Sequence, residues 1–324
     1  MRRLPRAALA SLFRPGDVVV ANDAATLPAS LTGVHEPSGG PIEVRLAGWV
    51  TLGDPTRFDA IAFGAGDHRM LTEDRPPPPP LVAGDRLALG ALEATVERVF
   101  DPPRLFRLRF LKDRASILAG LARSGRPVQY AHAAEPLALS DVWICFAADP
   151  VAFEPPSAGF ALSWRMLDIW RRRGVGFATL THAAGLSSTG CVGLDSRLPF
   201  DEPYRIVKRA AEAINRAKSS GGRIVAIGTT VVRALESAAV AGGDVSAGDG
   251  LARGRIGRLT ELRIVDAILT GVHRPGESHY ELLRAFAPEA ALERISAALA
   301  RLRFRDHEFG DSVLIERGIG AGRH

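Results

Sequence analysis

The 324-residue chain is 46% hydrophobic and 24% charged, proportions that suit a globular protein with one large domain or two unequal ones. Its two cysteines, Cys145 and Cys191, lie far apart without CxxC spacing, which excludes a disulfide framework and a thiolate zinc site and points to reduced thiols in a cytoplasmic protein. The opening MRRLPRAALASLF is too short and interrupted in its apolar part for a signal peptide or anchor, no other run could cross a bilayer, and a net charge of +5 carried mainly by arginine permits a nucleic-acid partner without requiring one.

In chain order, a short helix precedes a turn at Arg14-Pro15-Gly16-Asp17 and a buried strand through Val18, Val19 and Val20 that closes on Asn22-Asp23. A hairpin follows: Leu31 and Val34, a turn at Ser38-Gly39-Gly40, then Ile42, Val44 and Leu46 alternating with polar residues. From residue 46 to 129 short apolar runs broken by glycine, proline and aspartate read as a small all-β, barrel-like module. The five prolines Pro76 to Pro80 lack backbone donors, and they form a stiff loop within it or, less simply, a ligand for a proline-binding domain.

Beyond residue 130 strands and amphipathic helices alternate. The strand candidates are Val142 to Phe146, Val175 to Leu180, Ile224 to Ile227 and Val313 to Ile315. The helix candidates are Ser163 to Arg173, Pro203 to Ser219, Thr230 to Ala239, a segment from Ser278 and Pro288 to Leu302. Gly174 and Gly221 stand where helix ends take a left-handed residue. The predicted architecture is a mixed α/β main domain, residues 1–45 and 130–324, interrupted by a β module at 46–129.

The strongest local chemical signal is Gly221-Gly222-Arg223-Ile224-Val225-Ala226-Ile227-Gly228-Thr229-Thr230, a buried strand entering a Gly-Thr-Thr turn and a helix. Free N–H groups and two hydroxyls there suit a carboxylate, phosphate or ribose, or the threonines simply cap the helix. Arg233 and Glu236 share a helix face and either shape that site or pair with each other. Asn22 and Asp23, ending a strand, either face a ligand crevice or form a turn. The run Thr270-Gly271-Val272-His273-Arg274-Pro275-Gly276-Glu277-Ser278 could exchange protons or be a solvated loop, and His182 follows a strand in a position open to catalysis or to simple burial. Motifs for a phosphate loop, a GxGxxG fingerprint, a zinc peptidase and a serine hydrolase are missing.

Taken in order, these segments resemble the S-adenosylmethionine:tRNA ribosyltransferase-isomerase family of queuosine biosynthesis. RPGDVVVANDAATLPASLTG matches that family's opening at Arg14, Pro15, Gly16, Asp17, Asn22, Asp23, Pro28, Ala29, Leu31 and Gly33, and GGRIVAIGTTVVRALES matches almost throughout. IVDAILTGVHRPGESHYELLRAF keeps Asp266, Thr270, His273 and Pro275 of the family's Thr-Asn-Phe-His-Leu-Pro segment, with Gly271 in place of the asparagine, and FGDSVLI keeps Gly310 and Asp311. Other family segments depart: the histidine of Ala-Pro-Thr-Ala-Gly-Leu-His-Phe has no counterpart in residues 154–161, and of His-x-Met-His-x-Glu only Glu202 remains.

The resemblance implies a transferase and isomerase that moves the ribosyl unit of S-adenosylmethionine onto 7-aminomethyl-7-deazaguanine in tRNA, giving epoxyqueuosine. It implies S-adenosylmethionine as co-substrate with no resident cofactor and no metal, and tRNA as partner; the expected setting is cytoplasmic with no membrane, and the oligomeric state is left open with a monomer favoured. On it, Asn22, Asp23, Gly228, Thr229, Thr230, Arg233 and Glu236 bind substrate, and His273, His182, Glu202 and Asp311 transfer protons or orient groups. The alternatives are a diverged relative acting on another adenosyl compound or modified base, and a non-catalytic RNA- or nucleotide-binding protein of the same fold.

Overall fold

A computed structural model describes residues 2–133, 135–306 and 309–318. After a 3-10 turn at Arg6–Ser11 come β1 (Val18–Asn22) and the short β2 (Ala25–Thr26). Six strands follow, β3 (Ser30–His35), β4 (Gly40–Trp49), β5 (Arg57–Phe63), β6 (Arg86–Leu89), β7 (Leu92–Val99) and β8 (Leu105–Phe110), and then helix α1 (Arg114–Ser124). The remainder runs β9 (Pro150–Ala152), α2 (Trp164–Arg172), β10 (Gly176–His182), α3 (Val192–Asp195), β11 (Glu202–Ile206), α4 (Lys208–Ser219), β12 (Ile224–Ile227), α5 (Thr229–Ser237), β13 (Gly248–Ala252), β14 (Ala267–Gly271), α6 (Ser278–Leu283), α7 (Glu289–Arg301) and β15 (Ser312–Glu316).

Seven strands form one sheet in the order β13-β11-β10-β1-β12-β14-β15, with β1 parallel to both β10 and β12. β1 is buried along its whole length because both faces are covered, as a continuous valine run requires. Val18 and Val20 pack with α4, α5, α6 and α7, whereas Val19 and Ala21 pack with Phe13, Met166 and Trp170 on the opposite face. β12 alternates the same way: Ile224 and Ala226 face one core, Val225 and Ile227 the other. At the amino edge Asp17 accepts from the backbone N–H groups of Arg14 and Arg223 and from the Arg223 guanidinium at 2.6 Å, so the Arg-Pro-Gly-Asp turn is a staple between β1 and β12.

The second body is a closed antiparallel barrel in the order β3-β4-β5-β8-β7-β6. Closure brings β3 against β6 so tightly that a Cβ on Gly33 would lie 1.9 Å from the Ala88 carbonyl oxygen. Trp49 leaves the barrel end to donate to the Val151 carbonyl at 2.7 Å and to pack on Phe58 and Phe153, joining the barrel to β9.

Several expectations are corrected. The hairpin of Leu31 to Leu46 supplies the first two barrel strands, so the barrel begins at Ser30, upstream of residue 46. The region read as all-β contains α1, capped by Asp113 accepting from Ser116 N–H and packed on the barrel core through Ile117 and Leu121. Val142 to Phe146 is not a strand. Val142, Ile144 and Phe146 are buried alternately with exposed Trp143 and Cys145, yet the segment has no ladder partner and begins as a 3-10 turn at Leu139–Val142. Pro203 lies in a strand rather than at a helix start, because Tyr204 and Ile206 alternate around exposed Arg205 with the period of β11, and the helix begins at Lys208. Gly174 and Gly221 do take left-handed backbone, with φ of 71° and 76°.

Candidate active site

A cavity of about 520 Å³ opens at the carboxyl edge of the sheet, between the loops that follow β10, β12 and β14 and the segments that leave the barrel and β9. In an open α/β sheet this edge is where ligands sit, since strand ends and helix N-termini converge there. Gly228 is central to it. Its φ of 90° turns the chain from β12 directly into α5, no side chain caps the helix, and Gly228, Thr229 and Thr230 line the cavity at that uncapped start.

Arg233, one turn further, is buried and extends under the cavity. Its guanidinium bonds the Glu202 carboxylate, the Phe200 carbonyl at 2.9 Å and the Ala252 carbonyl at 3.0 Å. The other Glu202 oxygen accepts from Gly185 N–H at 2.6 Å. Burial pushes the Glu202 carboxyl up and Arg233 pulls it back. Behind this pair His182 is fully buried, its Nε2 3.5 Å from Glu202 and neither ring nitrogen hydrogen-bonded. Loss of solvent, reinforced by the Arg233 charge, holds its pKa down at about 3, so the ring is neutral.

Beside β12, Thr270 stands next to the end of β14 and its hydroxyl meets His273 Nε2 at 2.8 Å, while His273 Nδ1 lies 3.8 Å from Glu277 and the ring stacks on His279 at 4.8 Å. Crowding by protein and by His273 lowers the His279 pKa to about 4. For Glu277, burial raises the pKa but hydrogen bonds from His273 and Arg274 N–H outweigh it and keep the carboxylate charged. A third wall carries Tyr130, whose hydroxyl donates to Glu154, and Glu154 also accepts from Ser187 N–H at 2.8 Å. Burial and the Glu154 charge drive the Tyr130 pKa well above its ordinary value.

The cavity therefore brings together Gly228, Thr229, Thr230, Arg233, Glu202 and His273. It does not bring in the other residues singled out from sequence. Asn22 donates to the His182 carbonyl and accepts from His182 and Ala24 N–H, bracing β1 against β10, and Asp23 accepts from the Thr181 hydroxyl at 2.7 Å. Glu236 does not pair with Arg233; it accepts three backbone N–H bonds from Arg263, Ile264 and Val265 and fixes the approach to β14. Asp311 accepts from Arg305 N–H, and His182 lies behind the wall.

Tyr130, Glu154, Asp195 and His279 were not singled out from sequence. His279 lies within a segment already marked by His273, but nothing local marks Tyr130, whose partners are 24 and 58 residues away. Among the described residues no group of three or more His, Cys, Asp or Glu side chains could hold a metal ion, and no helix is long and apolar enough to cross a membrane.

Fold and cavity together define an open α/β sheet protein with a polar ligand crevice at its carboxyl edge. The chain belongs to the queuosine biosynthesis protein family, whose sequence pattern matches residues 5–315. It is 34% identical over 95% of its length to a Syntrophotalea carbinolica protein named S-adenosylmethionine:tRNA ribosyltransferase-isomerase, covering 87% of that protein. A Thermus thermophilus protein of the same name is 32% identical over 95% of this chain and 86% of its own. A solved structure described as S-adenosylmethionine tRNA ribosyltransferase from Thermotoga maritima aligns over 95% of this chain and 85% of that one at 20% identity, with a TM-score of 0.47, a likeness that bears on no residue of the site.

Proposed function

We propose that the cavity binds S-adenosylmethionine and transfers and isomerises its ribosyl unit onto 7-aminomethyl-7-deazaguanine in tRNA, giving epoxyqueuosine. The observation that carries this reading is the charge of the wall. Six carboxylates line it, Glu154, Asp195, Glu202, Glu277, Glu281 and Asp306, against two guanidiniums, Arg233 and Arg255. Arg284 and Arg274 answer Glu281 and Asp306 from outside the lining, and the balance still favours cations. The donor's sulfonium and the acceptor's aminomethyl group, an ammonium until it gives up a proton to act as nucleophile, both arrive as cations, and a field of this sign brings them together against their own repulsion.

The methionine carboxylate of the donor belongs at the uncapped start of α5, where free N–H groups favour an anion within a mainly acidic cavity. The sulfonium acidifies the carbon beside it, so a base must take that proton, and adenine must be protonated to leave. His273, held by Thr270 and facing Glu277, is placed for proton transfer. His279 stays neutral near pH 7 and serves as an acceptor, not an acid. Arg233 orients Glu202 at the floor. In this reading S-adenosylmethionine is a co-substrate, no resident cofactor or metal takes part, and a monomer acts on tRNA in the cytoplasm.

The test is release of free adenine from S-adenosylmethionine in the presence of tRNA carrying the aminomethyl base. His273→Ala is expected to lower that rate by roughly 10²- to 10⁴-fold with donor binding retained. A wild-type protein that retains RNA but liberates no adenine would overturn the reading in favour of a binding module.

A further inference from the structure

An acidic cavity poses a problem for an RNA substrate, because the phosphates flanking the reacting nucleotide approach a wall of their own charge. The loop between β13 and β14 answers it. Arg253-Gly254-Arg255-Ile256-Gly257-Arg258 places three exposed arginines within six residues, and among the described residues Arg253 and Arg258 make no ion pair. Of the acids beside it, Glu261 follows the loop, Asp201 accepts from Gly254 N–H at 3.3 Å, and Glu281, which shares the cavity lining with Arg255 and Ile256, pairs with Arg284.

The loop is held at the cavity rim. Arg233 donates to the Ala252 and Gly254 carbonyls at its root, Arg255 donates to the Ser196 carbonyl at 2.5 Å, and Gly257 N–H bonds the Thr260 hydroxyl at 3.1 Å. Arg255 and Ile256 line the cavity itself. The flanking arginines are thus presented at the mouth by a loop whose backbone is fixed to the floor of the site.

Resting on the tRNA reading above, we propose that residues 253–258 are the docking edge for the RNA backbone, with Arg253 and Arg258 taking phosphates on the nucleotides flanking the one inserted in the cavity. Such contacts position the strand without reading its sequence, and each neutralised phosphate releases counterions. The basic edge offsets the repulsion of the acidic interior, so a base enters while its backbone stays outside.

The test follows binding of an unmodified tRNA transcript by fluorescence anisotropy across a series of KCl concentrations, together with adenine release on the modified tRNA. The R253A/R258A double variant is expected to reduce the slope of log K against log[salt] by roughly 1.4 to 1.8, two phosphates at about 0.7 to 0.9 each. Its KM for modified tRNA should rise about tenfold, while kcat, the KM for S-adenosylmethionine and the thermal midpoint hold. R253K/R258K should restore the slope. R171A removes an exposed arginine at the far end of α2, close to the amino edge of β10 and so away from the cavity, and should leave the slope alone.

An unchanged slope in the double variant, an equal change in R171A, or binding to anionic vesicles in place of tRNA overturns the proposal. A wild-type protein that shows the expected slopes but releases no adenine overturns the reaction and supports the docking edge; normal adenine release with an unchanged slope does the reverse.

Discussion

Arg233 is the residue on which the floor of the site depends. It answers the Glu202 carboxylate and the backbone carbonyls of Phe200, Ala252 and Gly254, and because both members of the Arg233–Glu202 pair are buried, removal of one leaves a buried charge unanswered. Arg233→Met is expected to cost about 3–5 kcal/mol in urea denaturation, far more than loss of a surface ion pair. His182, behind it, sets an acid limit. Its folded pKa, about 3, lies below the ordinary 6.5, so the unfolded chain binds a proton that the folded chain refuses between those values. Stability from this group is complete above pH 6.5 and falls on acidification by about 1.4 kcal/mol per pH unit down to the folded value. Denaturation midpoints measured from pH 7 to 4 should show the decline in wild type and a flatter profile in His182→Leu.

Among the elements, β1 and β3 show how close approach fixes topology. β1 is straddled by β10 and β12, and its end is braced by Asn22, whose amide donates to the His182 carbonyl and accepts from the His182 and Ala24 N–H groups. β3 closes the barrel on β6 at Gly33, where the facing Ala88 carbonyl leaves no room for a Cβ. Gly33→Ala should therefore open or distort the β3–β6 seam and lower stability by about 1–3 kcal/mol, with the first exchange-protection losses in Val34, His35, Leu87 and Ala88. A drop confined to the α/β sheet would contradict this view of the seam. The same closeness explains why the first hairpin misled: its alternation identifies two paired strands, but nothing in Leu31 to Leu46 says which sheet they join.

At the scale of the whole molecule, two bodies meet around the cavity, and the barrel has an ionic heart of its own. Arg45, Arg75 and Arg104 place their guanidiniums 4.8, 5.1 and 5.2 Å from the centre of the Phe63 ring, and Glu43 bonds both Arg45 and Arg75 at 2.7 Å. The ring face shelters guanidinium N–H groups that find no oxygen. Burial works to raise the Glu43 pKa, but the two arginines outweigh it and lower the pKa from 4.5. Its contribution is therefore present above the ordinary carboxyl value and disappears as pH falls through the depressed one. Glu43→Gln is expected to destabilise the protein by about 3–5 kcal/mol at pH 7, and the deficit relative to wild type should shrink on acidification below pH 4.5. An equal deficit at every pH would show that the carboxylate charge is not what holds the cluster.

The amino-acid sequence by itself determined what depends on near neighbours. The buried strands Val18–Val20 and Ile224–Ile227, the left-handed Gly174 and Gly221, and the Gly228-Thr229-Thr230 turn are all written in local periodicity and backbone chemistry. The ordered match of several segments carried the family membership in the same way. Only the tertiary structure decided which polar residues line the cavity. Asn22, Asp23, Glu236 and Asp311 look no different along the chain from Glu202 and His273, yet the first four lie outside the cavity lining, each bonded to a backbone group or hydroxyl that folding brings to it. Tyr130 and Glu154 enter the cavity through contacts made across the chain. The physical reason is that a helix or strand is set by residues within a few positions, whereas a hydrogen bond or a charge is satisfied by whatever packing brings within about 3 Å.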